Sequence, residues 1–167
     1  IRMEHVSIRA KGAFWPRLLA ALALLAMLVV GRYTYRDYGI TVDETVERNS
    51  TLISYQYAFE MLFGKDLALS DQPLETYKDR YYGVTLQMPT VMAEHLTGFT
   101  MPSRDIYMMR HLWTFLICLS GLACFYLFLE KVFRNRWYAL LGLMMLALYP
   151  RFWGEQFTNI KDMVFMA

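Results

Sequence analysis

The chain has 167 residues, 56% of them apolar and 19% charged, with a mean hydropathy of +0.23 and a net charge of +2. Ordinary soluble domains carry about 25% charged residues; here the deficit is concentrated, since residues 18–31, 112–129 and 137–150 contain no Asp, Glu, Lys or Arg. That pattern excludes a soluble globular domain and indicates a membrane protein, and the small net charge excludes a nucleic-acid footprint. No two of the nine glycines lie closer than eight positions, so dinucleotide loops, P-loops and GxSxG elbows are absent.

Taken in chain order, the segment before Leu18 carries Arg2, Arg9, Lys11 and Arg17 against Glu4. The first span is expected over about 14–36, entered through Phe14, Trp15 and Arg17 and left through an aromatic belt at Tyr33, Tyr35 and Tyr38. No small-x-small cleavage site follows Val30, so the span reads as retained and not as a signal peptide.

Residues 37–104 form a loop whose composition is that of folded structure, with no Ser/Gly-rich run. After Asp43, Leu52, Tyr55, Phe59 and Leu62 recur at helical spacing and stop before Gly64, which predicts an amphipathic helix over 43–63. Pro89 starts a second helix, over 89–97, that Gly98 ends. Residues between these helices are polar and turn-rich. Both helices are expected to lie on the membrane interface.

The second span is expected over 105–129, with Ser103 as its cap, and the third over 136–150. Cys118 and Cys124 fall inside the second span and read as buried thiols acting as small hydrophobes. His5, His95 and His111 show no metal-ligand spacing and read as solvated or interfacial side chains. The short segment 130–136 holds Lys131, Arg134 and Arg136 against Glu130, whereas residues 32–110 hold 8 basic and 11 acidic residues. The positive-inside rule therefore places the N-terminus and 130–136 in the cytoplasm and the long loop outside. The fold class is all-α, a single membrane domain over 1–167 with multiple spans and an external loop carrying interfacial helices. Ile1 is no initiator residue and 163–167 begins another apolar run, so the chain reads as part of a longer protein.

Two segments carry candidate chemistry, both on the external side. In Thr41-Val42-Asp43-Glu44 the two carboxylates fit a helix start, either as a capping box from Thr41 to Glu44 or with Asp43 as N-cap. They also fit a base at the membrane surface that takes a proton from a hydroxyl. After the third span, Glu155, Lys161 and Asp162 lie close to an apolar continuation, where ionisable groups are costly.

A first span followed by an external Asp-Glu and then interfacial helices resembles the layout of the GT-C superfamily of membrane glycosyltransferases. The stretch Tyr149-Pro-Arg-Phe-Trp-Gly-Glu-Gln-Phe-Thr-Asn-Ile-Lys-Asp162 resembles the second-loop motif of its family 39-like bacterial members, where Pro-Arg-hydrophobic-x-Gly precedes Asn-Pro-Lys-Asp. This chain has Ile160 where proline is usual and Glu155 where histidine is frequent. The resemblance implies inverting transfer of a sugar from a polyprenyl-phosphate donor to an acceptor, at the external face of a bacterial inner membrane. It implies Asp43 as catalytic base with Glu44 as companion. On that reading Lys161 meets the donor phosphate, and Asp162 and Glu155 either orient it or bind a divalent ion, which some family members use and others do not. Arg110, at the outer mouth of the second span, either meets phosphate or anchors the helix at the interface. The competing reading is a non-enzymatic multi-span protein, such as a transporter or assembly subunit, whose outer carboxylates only cap helices.

Overall fold

The computed structural model describes the backbone of residues 2–167 and the side chains of residues 14–167. His5 and the basic side chains Arg2, Arg9 and Lys11, which enter the orientation argument, lie outside the described side chains. Among the described residues seven helices follow in order: α1 (Arg2–Thr34), α2 (Val42–Phe63), α3 (Met88–Leu96), α4 (Ser103–Phe133), α5 (Arg136–Ala147), α6 (Pro150–Glu155) and α7 (Asp162–Met166), with a 3-10 turn at Leu74–Thr76. No strand occurs among the described residues.

Among the described residues two helices are long and apolar enough to cross a membrane: Phe14–Thr34 within α1, and α4. At 1.5 Å per residue their 21 and 31 residues run to about 32 and 46 Å, against a hydrocarbon core of about 30 Å. The 12 residues of α5 reach only about 18 Å, short of a full crossing. The expected third span is thus interrupted. Pro150 forces Tyr149 into extended backbone, and the chain restarts as α6.

Helices α1, α4 and α5 pack around Ala20, Met27, Cys118, Leu122, Leu129, Ala139 and Leu143. Gly31 of α1 lies against the Phe115 ring so closely that a Cβ there would collide with it. At one end of this bundle the Arg17 guanidinium donates to both oxygens of Glu130, at 2.7 and 3.2 Å, and Arg136 donates to the same carboxylate at 2.6 Å. Arg17 and the 130–136 segment therefore share an end of the bundle. Cys118 is buried as expected, but Cys124 is exposed. Six positions at about 100° per residue carry the second thiol round to another face of α4.

Helix α2 matches the expected bounds, and Gly64 ends it with a left-handed φ of 65° while its N–H bonds to the Glu60 carbonyl. Its packing inverts the expectation. The buried positions are Glu44, Glu47, Ser50, Thr51 and Ile53, whereas none of Leu52, Tyr55, Phe59 and Leu62 is buried and Leu62 is 75% exposed. The surface that α2 meets is itself polar, which explains the turn. Arg48 pairs with the buried Glu94 of α3 through bonds of 2.6 and 3.3 Å. Arg110 of α4 donates to Thr90 at 3.1 Å and to the Gln87 side-chain oxygen. Each buried polar group needs a partner, and these helices supply partners to one another.

Helix α3 begins with proline in its first turn, as expected. Helix α4 does not use Ser103 as its cap; Pro102 holds that position. His111 is fully buried, so it is not the solvated or interfacial side chain expected, whereas His95 is half-buried.

Candidate functional site

Two stretches far apart in sequence meet beside the N-terminal third of α4, at His111 and Phe115. Tyr38 joins them first: its hydroxyl donates to the Trp153 carbonyl at 3.1 Å, and its ring lies 4.5 Å from that of Phe157. Phe157 in turn stacks on Phe115 of α4, 5.1 Å between centroids. This aromatic stack fixes the segment after α6 against the α1–α2 connection. A cavity of about 270 Å³ lies between them, lined by Thr41, Asp43, Glu44 and Glu47 on one side and by Glu155, Thr158, Asn159, Ile160, Lys161 and Asp162 on the other.

Neighbouring carboxylates on α2 have different environments, because successive helical side chains diverge by about 100°. Thr41 is the N-cap, so Asp43 is not. Glu44 Oε2 accepts the Thr41 N–H at 2.7 Å and the Thr41 hydroxyl at 3.2 Å, the return half of a capping box. Its Oε1 lies 2.7 Å from His111 Nε2, with both side chains at 0% exposure. The two atoms make no hydrogen bond with each other, so the pair is a close packing contact between two buried polar side chains. His111 Nδ1 faces the Tyr35 carbonyl at 3.3 Å; a carbonyl only accepts, so that nitrogen carries hydrogen. Glu44 thus ties the start of α2 to α4, and through His111 to the end of α1.

Asp43 differs in every respect. It is exposed to the cavity, and its carboxylate makes no hydrogen bond or ion pair among the described residues. Of the adjacent pair, Asp43 is the group left available for a ligand.

One turn further along α2, Glu47 meets the second segment. Lys161 Nζ lies 2.6 Å from Glu47 Oε1 and 4.0 Å from the centre of the Tyr82 ring. Lys161 and Asp162 also line a second, largely apolar cleft of about 460 Å³, with Tyr82, Leu86, Ile160, Val164 and Phe165. Lys161 therefore stands at a boundary, polar cavity on one side and apolar cleft on the other.

Glu155 accepts from Arg151 at 2.7 Å and from the Asn159 amide at 3.0 Å, and the same amide reaches Asp162 at 3.2 Å. The Arg151 bond foremost, then the Asn159 bond, holds the Glu155 carboxyl below the usual carboxylate range. A divalent ion, which the family resemblance leaves open, does not fit this donor set. No three His, Cys, Asp or Glu side chains converge for a metal among the described residues, and an amide NH2 already bridges Glu155 and Asp162.

Five of the six sequence-based candidates, Asp43, Glu44, Glu155, Lys161 and Asp162, share one cavity. Arg110 does not join them; it is buried in the polar layer with Thr90 and Gln87. Glu47, His111 and Tyr82 were missed. Glu44, Glu47 and Thr51, at spacings of three and four, form a polar stripe that could have revealed Glu47. Nothing local in the sequence marks Tyr82. No family model matches the chain, and no curated protein or solved structure matches it.

Proposed function

We propose that the protein is a membrane glycosyltransferase of the GT-C type, family 39-like, transferring a sugar with inversion from a polyprenyl-phosphate donor at the external face of a bacterial inner membrane. In this reading α1 and α4 cross the bilayer and α5 with α6 makes a third, kinked crossing. The Arg17–Glu130–Arg136 end is cytoplasmic. Helices α2 and α3 rest on the outer surface and turn Met61, Leu62, Phe63 and Leu96, all exposed, toward the lipid interface.

The observation that carries the reading is the pairing at the cavity of an unpartnered carboxylate, Asp43, with an ammonium from the second segment, Lys161, beside an apolar cleft. A polyprenyl phosphate has both characters, an anionic head for Lys161 and an apolar chain for the cleft. Asp43 takes the proton of the acceptor hydroxyl as its oxygen attacks the anomeric carbon. The bond from that carbon to the phosphate oxygen breaks on the opposite face, and the phosphate leaves with the electron pair. Lys161 stabilises the charge that develops there. Glu44 holds the turn that carries Asp43.

The test is Asp43→Asn in the full-length protein in native membranes, read as polyprenyl phosphate released. Loss of a general base lowers the rate by about 10²–10⁴-fold. Near-normal release would overturn the catalytic assignment and leave a protein whose outer carboxylates serve structure alone.

A further inference from the structure

The geometry points to Glu47 as the residue that stations Lys161 at the boundary between the polar cavity and the apolar cleft, a positioning residue for phosphate recognition that acts only through the Lys161 ammonium. The inference rests on the reading of Lys161 given above and adds to it the group that makes the lysine usable.

Lysine ends a flexible four-carbon stem and carries a compact charge, so left alone it samples many positions. Here it is held from two sides. Glu47 Oε1 lies 2.6 Å from Nζ, and the Tyr82 ring stands 4.0 Å away. The pair is asymmetric in exposure: the Glu47 side chain is 4% exposed and that of Lys161 38%. A carboxylate so deeply buried on a helix is fixed in place, and it is the lysine that comes to it. The anchor is rigid because Glu47 sits in the second turn of α2, whose first turn is already clamped by Glu44 to Thr41 and His111. The contact with Glu47 is an ion pair, and an ammonium has three N–H donors. Those donors remain for a ligand.

Charge distribution decides the side of approach. Asp43, Glu44, Glu47, Glu155 and Asp162 line the polar cavity, whereas Asp162 is the one carboxylate on the cleft. A phosphate therefore meets Lys161 from the cleft, with its chain already among Leu86, Val164 and Phe165. Glu47 is paired and buried, which separates its role from that of Asp43.

The experiment is a double-mutant cycle on the full-length protein in an uncharged detergent, with a polyprenyl monophosphate as the probe and its binding followed by calorimetry. Lys161→Met should weaken binding tenfold or more. Glu47→Gln should weaken it three- to tenfold, and should add nothing in the Lys161→Met background. If Glu47→Gln keeps its full effect in that background, Glu47 serves the fold and the inference is overturned. It is equally overturned if Glu47→Gln alone binds like the wild type. If Lys161→Met leaves binding unchanged, the assignment of Lys161 itself falls, an outcome distinct from the other two. Should Glu47→Gln not fold, Glu47→Asp, one methylene short with the charge kept, enters the same cycle under the same criteria.

Discussion

Removing Glu44 separates its role from that of Asp43 more sharply than any other perturbation. In Glu44→Ala the buried His111 loses the carboxylate 2.7 Å from its Nε2, and the Thr41 N–H loses its 2.7 Å acceptor. Leaving a fully buried polar group without its partner costs about 1–3 kcal/mol. The lost capping contact is part of the same cluster, so its own cost of about 1 kcal/mol does not simply add. Asp43→Asn changes an exposed group that is not the cap, and it forfeits only an interaction with the α2 dipole of about 0.3–1 kcal/mol. Denaturant titration in mixed micelles, followed by circular dichroism, measures both. The expected result is a large loss of stability for Glu44→Ala and a small one for Asp43→Asn, with transfer activity showing the reverse order per folded molecule. Equal stability losses for the two variants would refute the division of labour between these adjacent residues.

Three further outcomes follow from the same geometry. Single cysteines at positions 70 and 133 should react with an impermeant reagent from opposite faces of the membrane; reaction from one face refutes the orientation. Gly31→Val drives a side chain into the Phe115 ring and should cost about 1–3 kcal/mol by overpacking, seen as a lowered Tm. Because its bonds to Arg151 and Asn159 depress the Glu155 carboxyl, its stabilising effect is complete above the usual carboxylate range and fades as pH falls through the lowered value. Amide exchange in residues 155–162 should therefore differ between wild type and Glu155→Gln at neutral pH and converge in strong acid.

The element boundaries were legible where local chemistry decides them. Charge-free runs marked α1 and α4, Gly64 stopped α2, and Pro89 opened α3. The reading of α2's packing failed because it sought an apolar stripe, whereas the helix faces a polar neighbour and buries Glu44, Glu47 and Thr51. Whether a stripe turns inward depends on what it meets, and those partners, chiefly α3 with the turn at Leu74–Thr76 and His111 of α4, lie far along the chain. The same distance hid His111, since a lone histidine in an apolar run gives no sign that a carboxylate will reach it. Asp43 and Glu44 were legible as a pair but not as separate roles. Only the direction in which each side chain leaves the helix divides them.

The length of α4 has a mechanical consequence. Its charge-free run, 112–129, measures about 27 Å, close to the thickness of a thin bilayer. His111 is the next residue up, and Glu44 touches it; on the membrane reading proposed above, the first turn of α2 is thereby pinned at the edge of the hydrocarbon. On that reading the helix works as a ruler, and the membrane's thickness would set where the cavity opens. In a bilayer thicker by one helical turn, about 5 Å, the layer of Glu44, Arg110 and His111 would sink into hydrocarbon unless the lipid thinned around it. On that reading acyl-chain length would set the height at which the cavity meets the lipid.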